Sequence, residues 1–541
     1  MLQSKLAQIV QNRATSQPLP TGSAPYTSSS FFKVQKPGDK PNAKNLKHRF
    51  SRDSYNLQVS PLKAASRGFK HSGMISLGTA RPSPQYFPWE AMHLECPPSD
   101  SPGVQSPLDS GLTMDCVRGE SDYDLAVAMN YGFTTGSPQL LRYVTEHTEL
   151  IHNPPYADWA SCLTCGTTSA LEIAFRIFCN PGDTVLMEGY VYSGTIAAAR
   201  AQGLKIQGVD MDDQGIVPTD LDHKLATWDP AKGPKPFVLY MIPTGQNPTG
   251  TTQSLERRRE IYELAEKHNL YILEDDPYYF IHLGIGSCSL PSDLDDYLSR
   301  LPASYLSLDV SGRVLRMDTT SKILAPGLRL GWVTASASVI DKFISYSEVG
   351  VLCPSGPSQV MAYKLLDKTW GHEGFIRWLM NLSAEYRRRR DVLIAACDKH
   401  LPSELCIYRA PEVGMFLWVS LDLSKLGLAT QHTSDDTLWK TYLDIEGEIF
   451  SQAQQSGVLV SRGSWFMNDV KEMRGVSFRV TFAAAEEGSL DRAVERFGHA
   501  LRSGLEKRQH DWAAREISLA LGEKLLMNKP EALVKIKPLQ R

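Results

Sequence analysis

The chain has 541 residues, of which 42% are hydrophobic and 22% charged, enough for two or more domains with separate cores. A formal net charge of −3 gives no reason to expect nucleic acid as a partner, because phosphate-backbone binding needs a concentrated basic surface. No apolar run reaches the roughly eighteen residues of a membrane helix, and nine irregularly spaced cysteines do not form an extracellular disulfide framework.

Residues 1–45 read as a flexible extension. From Met1 to Lys36 there is no acidic residue, while Lys5, Arg13, Lys33 and Lys36 are basic among many Ser, Thr and Gln. A cytoplasmic protein with a disordered lead is expected, with mitochondrial targeting by residues 1–36 as the alternative. Residues 82–110 hold prolines and serines without periodicity and predict a long loop around a short helix over 88–94. After Tyr131 strand and helix patterns alternate. Leu171, Ile173, Ala174, Ile177 and Phe178 give one face of a helix over 168–179, closed by Pro181-Gly182-Asp183. Strands are predicted over 184–187, 236–242, 271–274 and 314–317, with helices over 195–201 and 254–267 between them. Repeated crossovers of this kind build an α/β fold with a mostly parallel sheet between helices. A long amphipathic helix over 372–399 follows. Strands over 414–420, 457–460 and 476–482 and a helix over 487–501 make a second α/β unit. The expected division is 1–45 extension, 46–125 arm, loop and part of the small domain, 126–370 large domain, 371–505 small domain, and 506–541 helical appendage.

Ligands of such sheets lie beyond the carboxyl ends of the strands. That edge collects the loops 244–250 and 275–279 and the run from Asp318 to Trp332. In this run Lys322 stands between the hydroxyls of Thr319, Thr320 and Ser321 and an apolar turn, with Arg329 seven residues on. A lysine that forms an imine must spend time neutral, and burial beside another cation lowers its pKa. Arg329 can fork onto a phosphate, and Thr319 and Ser321 can add hydroxyls from one side. These are the requirements of pyridoxal phosphate. The plain alternative is a loop lysine near a surface arginine.

Other groups point to the same coenzyme. Asp275, directly after an apolar strand, can pair with a pyridinium nitrogen; a turn or cap aspartate is the alternative, a role that suits Asp276 before Pro277 better. Asn247 and Tyr278 can donate to the phenolic oxygen, although Asn-Pro-Thr-Gly is also a good turn. Cys165-Gly166-Thr167-Thr168 precedes a helix whose first N–H groups can bind phosphate, or Thr168 can be a simple N-cap. Tyr192 can stack on the ring or simply pack. Arg479, inside an apolar strand, needs a partner: a substrate carboxylate or an internal acid. No metal is expected.

Taken as they stand, these residues resemble the fold type I pyridoxal-phosphate aminotransferases, in particular the fungal aromatic aminotransferases and the kynurenine/2-aminoadipate aminotransferases. The matching segments are Ser60–Ala65, Met74–Gly78, Tyr131 with Gly136, Pro243–Gly250, Glu274–Tyr279, Ser321-Lys322 with Gly327–Gly331, Gly414–Trp418 and Phe478-Arg479, so the likeness runs from about residue 55 to about 505. The resemblance implies a seven-stranded, mostly parallel sheet in the large domain and a smaller α/β domain. It implies that Lys322, as the internal aldimine lysine, moves the proton between the substrate Cα and the coenzyme, with Asp275 and Tyr192 as further catalytic groups. Asn247 and Tyr278 would hold the phenolic oxygen, and Thr167, Thr168, Thr319, Ser321 and Arg329 the phosphate; Arg479, Asn247 and Gly78 would meet the substrate. Tyr131 matches a tyrosine that reaches the phosphate of a neighbouring subunit, which implies a homodimer. Relatives often have serine then glutamine where this chain has Thr167-Thr168. The reaction implied is a ping-pong transfer of the amino group of Tyr, Phe or Trp to a 2-oxo acid, 2-oxoglutarate foremost. Alternatives are 2-aminoadipate or kynurenine as donor, a lyase or decarboxylase on the same scaffold, and a ligand-sensing regulator, for which residues 1–45 are too short to supply a DNA-binding domain.

Overall fold

The computed structural model describes residues 1–35, 38, 40–57, 80–100, 111–284, 289–426 and 435–506. A hairpin of β1 (Ala91–Cys96) and β2 (Leu112–Val117) precedes the main sheet, which begins with β3 (Trp159–Thr164), β4 (Thr184–Glu188) and β5 (Lys205–Val209). After a short ribbon, β6 (Met211–Asp212) with β7 (Gly215–Ile216), it continues with β8 (Val238–Met241), β9 (Tyr271–Asp275), β10 (Val314–Thr319) and β11 (Gly331–Ser336). The seven strands lie in the order β3-β11-β10-β9-β8-β4-β5, and β11 alone runs against its neighbours. The smaller domain carries an antiparallel sheet of β12 (Cys406–Tyr408), β13 (Phe416–Leu421), β14 (Ser461–Arg462) and β15 (Val476–Thr481), in the order β12-β13-β15-β14.

The central strands are buried along their whole length, as a parallel sheet covered on both faces requires. Alternation divides their side chains between two cores. Leu186, Leu239, Met241, Ile272 and Val314 pack with Leu221, Leu225, Ile261 and Ala265 of the helices Pro218–Ala226 and Leu255–His268. Val185, Met187, Tyr240, Leu273 and Met317 pack in the other core with Ala170, Ala174 and Phe178 of the helix Thr167–Phe178. Asp275 continues the second set and Glu274 the first. This two-residue period aims consecutive acidic side chains at opposite faces of one sheet.

Three sequence expectations are corrected. Residues 1–45 are not a loose lead: Leu2, Leu6 and Ile9 recur at helical spacing, and Leu2–Thr15 is an α-helix with Leu2 and Ile9 buried. Arg13 anchors it, donating from Nε to Glu146 at 2.8 Å and from Nη2 to both Glu146 and Asp367. Downstream, Lys33 lies over the Trp159 ring at 4.4 Å and the Lys44 N–H donates to the Ser311 carbonyl at 2.9 Å. The short helix expected over 88–94 is instead strand β1, because Met92, Leu94 and Cys96 face inward with period two. In the small domain the strand expected over 457–460 lies further on, at β14. The helix expected over 487–501 is present, a 3-10 turn at Glu487–Ser489 leading into a helix over 490–506, and the remainder of the expected appendage lies outside the described residues.

The Glu146 and Asp367 side chains are buried, so Arg13→Ala would leave them, among the described residues, only His372 and Arg142 as ion-pair partners. The substitution should destabilise the protein by roughly 3 kcal/mol and lower its thermal unfolding midpoint. An unchanged midpoint would show that the helix does not depend on this anchor.

Candidate active site

Parallel strands β4, β8, β9 and β10 end at one edge, and each delivers a polar residue there. Asp275, the last residue of β9, is buried. Its Oδ2 accepts a hydrogen bond from the Tyr240 hydroxyl on neighbouring β8 at 2.7 Å, and its Oδ1 has no partner. Burial pushes its carboxyl up to about 6, while the Tyr240 bond pulls the other way. A buried oxygen left bare is costly unless an N–H reaches it.

Lys322 follows β10 in a turn over Ser321–Leu324. Its ammonium is held below its ordinary pKa, first by burial and then by the charges of Arg479 and Arg329, against the pull of Asp275. The Thr319 and Ser321 hydroxyls are 2.9 Å apart, and Arg329 Nη1 lies 3.5 Å from Ser321 Oγ. Arg329 takes the left-handed conformation, φ 47°, which turns its guanidinium toward the start of the helix Thr167–Phe178; Nη2 donates to the Cys165 carbonyl at 3.2 Å. The N-cap of that helix is Gly166, with no side-chain cap bond, so Thr168 is not the cap and the first-turn N–H groups are available to an anion. A Cβ at Gly166, φ 90°, would lie 2.5 Å from Arg329 Nη2.

The turn carrying Asn247 lies against the small domain. A Cβ on Gly245, φ 58°, would lie 2.9 Å from Gly414 Cα, so glycine permits this approach. Across the gap Arg479, on β15, donates from Nη1 to Asn247 Oδ1 at 2.7 Å and from Nη2 to Ser461 Oγ at 3.2 Å. Phe416 and Phe466 lie against its guanidinium at 4.6 and 4.7 Å. Among the described residues no acid pairs with Arg479, which removes the internal-pair alternative there. Tyr278 is buried, its hydroxyl pushed up by burial and facing Asn247, Asp275 and Arg479. Tyr192, 40% exposed at the start of the helix Ser193–Ala201, also faces Tyr278 and Arg479.

Tyr131 is 55% exposed, and its side chain makes no hydrogen bond or ring contact among the described residues. Gly78 lies outside the described residues. Sequence reasoning also missed two groups. One is Tyr240. The other is Arg316, fully buried behind Asp275 on β10 and paired with Glu274 at 3.0 Å, Asp276 at 3.1 Å and Asp318 at 2.9 Å. Its signal was present, a cation inside an apolar strand, the same signal that singled out Arg479.

Pyridoxal phosphate fits what is present. The bare Asp275 oxygen suits a ring N–H, the Arg329, Ser321 and helix-start cradle suits a phosphate, and Lys322 lies within charge range of both ends. Architecture and site together place the chain among the fold type I pyridoxal-phosphate enzymes.

Residues 111–497 match the family described as aminotransferase class I and II. Aminotransferase swnA of Metarhizium robertsii is 48% identical over 469 residues, 85% of this chain and 92% of that protein. The aromatic amino acid aminotransferase C56E4.03 of Schizosaccharomyces pombe is 39% identical over 474 residues, 85% and 98% of the two chains. The crystal structure of aminotransferase Aro8 from Candida albicans aligns with a TM-score of 0.79 at 38% identity, covering 86% of this chain and 99% of that one. The chain belongs to the class I and II aminotransferases and is related to the fungal aromatic and the kynurenine/aminoadipate enzymes.

The raised pKa of Asp275 has a stability consequence in the coenzyme-free protein. The folded state holds this proton more tightly than the unfolded chain, so the associated stability is complete below pH 4 and is lost as pH rises through about 6. The loss amounts to about 3 kcal/mol. Asp275→Asn should remove this dependence and make the coenzyme-free protein more stable than wild type at pH 8. Denaturant unfolding at pH 4 and 8 checks it; parallel pH profiles for the two proteins would refute it.

Proposed function

We propose that the protein transfers the amino group of an aromatic L-amino acid, tyrosine, phenylalanine or tryptophan, to a 2-oxo acid, with 2-oxoglutarate as the principal acceptor. The observation that carries this reading is Lys322, half-buried between the charges of Arg479 and Arg329 and opposed by Asp275. A lysine whose ammonium is destabilised gives up its proton more readily and, once neutral, can take the proton from the substrate Cα and return it to the other reacting carbon. Bound pyridoxal phosphate would supply a ring that accepts the electron pair this proton leaves behind.

The other side chains hold and orient. Asp275 would present its bare Oδ1 to the ring nitrogen while Tyr240 fixes Oδ2. Asn247 and Tyr278 would donate to the phenolic oxygen, and Tyr192 would cover a ring face. Arg329, Ser321, Thr319, Thr167 and Thr168 would bind the phosphate together with the first turn of the helix Thr167–Phe178. Arg479, flanked by aromatic rings and free of any acid partner among the described residues, would grip the substrate α-carboxylate. A carboxylate held this way is retained through the reaction, which favours amino transfer over decarboxylation. The exposed Tyr131 would reach the phosphate of a second subunit, making the working unit a homodimer. Aromatic donors are supported by the Schizosaccharomyces pombe relatives, whose names state that activity, at 34 to 39% identity.

Purified protein with added pyridoxal phosphate should convert tyrosine and 2-oxoglutarate into glutamate and the matching aromatic 2-oxo acid in equal amounts. Release of carbon dioxide or ammonia without glutamate would defeat the proposal. Lys322→Ala should abolish the visible absorbance of the coenzyme and slow turnover at least about 100-fold. Arg479→Ala should keep that absorbance but raise the amino-acid KM by on the order of 10- to 100-fold, the size of lost hydrogen bonds to a charged group. A panel of aromatic donors against 2-aminoadipate and kynurenine would rank the substrates.

A further inference from the structure

A second buried acid stands near Asp275 and takes no part in the chemistry above. Glu188 ends β4 and is 1% exposed. Its Oε2 accepts from the Ile242 N–H at 3.1 Å and from Gln246 Nε2 at 3.0 Å, while its Oε1 has no partner. An ionised carboxylate tolerates such a half-satisfied buried site poorly, whereas a neutral acid carries no uncompensated charge there while its Oε2 still accepts both bonds. In agreement, burial pushes the carboxyl up to about 8, although the bonds from Gln246 and Ile242 pull downward.

Gln246 links this acid to the active site. The same Nε2 that reaches Glu188 also donates to the Tyr190 carbonyl at 2.6 Å, and Gln246 Oε1 accepts from both the N–H and the hydroxyl of Thr249 at 2.8 Å. The Gly250 N–H closes the turn on the Gln246 carbonyl at 2.7 Å. Asn247 is the next residue in that turn. On the other side, the loop from Tyr190 to Tyr192 is tied by the Val191 N–H to the carbonyl of Phe466 at 2.8 Å, and the Phe466 ring covers Arg479. One amide therefore holds two loops that face the coenzyme pocket.

We propose that Glu188 and Gln246 are a positioning pair that sets the Asn247 turn and the Tyr190–Tyr192 loop about the coenzyme. The inference rests on the function proposed above and adds two residues that touch neither coenzyme nor substrate. Glu188 acts as a neutral acceptor for Gln246, and the Gln246 side chain keeps the Asn247 amide aimed at the phenolic oxygen.

The pH midpoint of the holoenzyme's visible absorbance reads that hydrogen bond, because a donor to the phenolic oxygen favours its deprotonated form. Loss of the donor raises the midpoint. Glu188→Gln preserves an acceptor for both donors and should leave the midpoint at the wild-type value. Glu188→Ala and Gln246→Ala should each raise it by about one unit, the effect of one lost hydrogen bond to a charged oxygen, in the direction of Asn247→Ala. A wild-type midpoint in the two alanine variants, or a shift in Glu188→Gln as large as in Glu188→Ala, would overturn the pairing. If Glu188→Ala does not fold, Gln246→Ala decides by the same midpoint. A wild-type protein with no visible band after addition of pyridoxal phosphate would instead overturn the functional reading and leave a distinct signature.

Discussion

Arg316 is a guanidinium without access to water, surrounded by Glu274, Asp276 and Asp318 and stacked over the Tyr279 ring at 4.6 Å. Burying charged groups costs several kcal/mol per ion, and here the cost is offset by short contacts and by donors to most of the remaining lone pairs, although Asp276 Oδ1 has no partner among the described residues. Thr244 supplies one, its hydroxyl donating to Asp276 at 3.0 Å. Three carboxylates exceed one cation, and burial pushes Asp276 and Asp318 above the usual carboxylate range. The cluster ties the paired ends of β9 and β10, the latter leading to Lys322, to the turn that begins at Thr244 and carries Asn247. With Glu274 and Arg316 on one face, the pleat directs Asp275 to the other, where Tyr240 and the coenzyme pocket lie.

The small domain supplies Arg479, the residue proposed to hold the substrate carboxylate. Gly245 and Gly414 let the two backbones meet, and the bridge between Tyr190 and Met467 adds a second seam. Arg479 bonds Asn247 across this junction. A substrate carboxylate at Arg479 would therefore be felt at the Asn247 turn and, through Gln246, in the loop that carries Tyr192. On the proposed function, substrate binding and coenzyme orientation would share one set of contacts.

Much of this could be read from the residues in order. Lys322, Asp275, Asn247 and Arg479 stood out because each sets a charge or amide inside or just beyond an apolar strand, and Tyr278 because it follows Asp275 in the same loop. The sheet was legible from its crossovers and continuous apolar strands. Tyr240 and Arg316 were not assigned, since their roles depend on which strand lies beside which, and the order β3-β11-β10-β9-β8-β4-β5 is set by long-range pairing that no local window contains. The same apolar-strand signal marks Arg316 and Arg479. Three buried acids surround the first, while among the described residues none pairs with the second. Residues 1–15 were misread for a different reason: a polar, proline-bounded composition masked the Leu2, Leu6, Ile9 stripe, and the acids that receive Arg13 lie at residues 146 and 367.

By fixing the ends of β9 and β10 and the Thr244 turn, the buried Arg316 cluster would set the proposed coenzyme site. Arg316→Lys tests it most directly, since lysine keeps the charge but cannot fork among three carboxylates. The measurement is the dissociation constant for pyridoxal phosphate in variant protein shown to be folded. It should rise by more than about tenfold, equivalent to losing one charge-assisted contact, as the ends of β9 and β10 lose their fixed relation. An unchanged dissociation constant would contradict the claim and return Arg316 to a purely structural role.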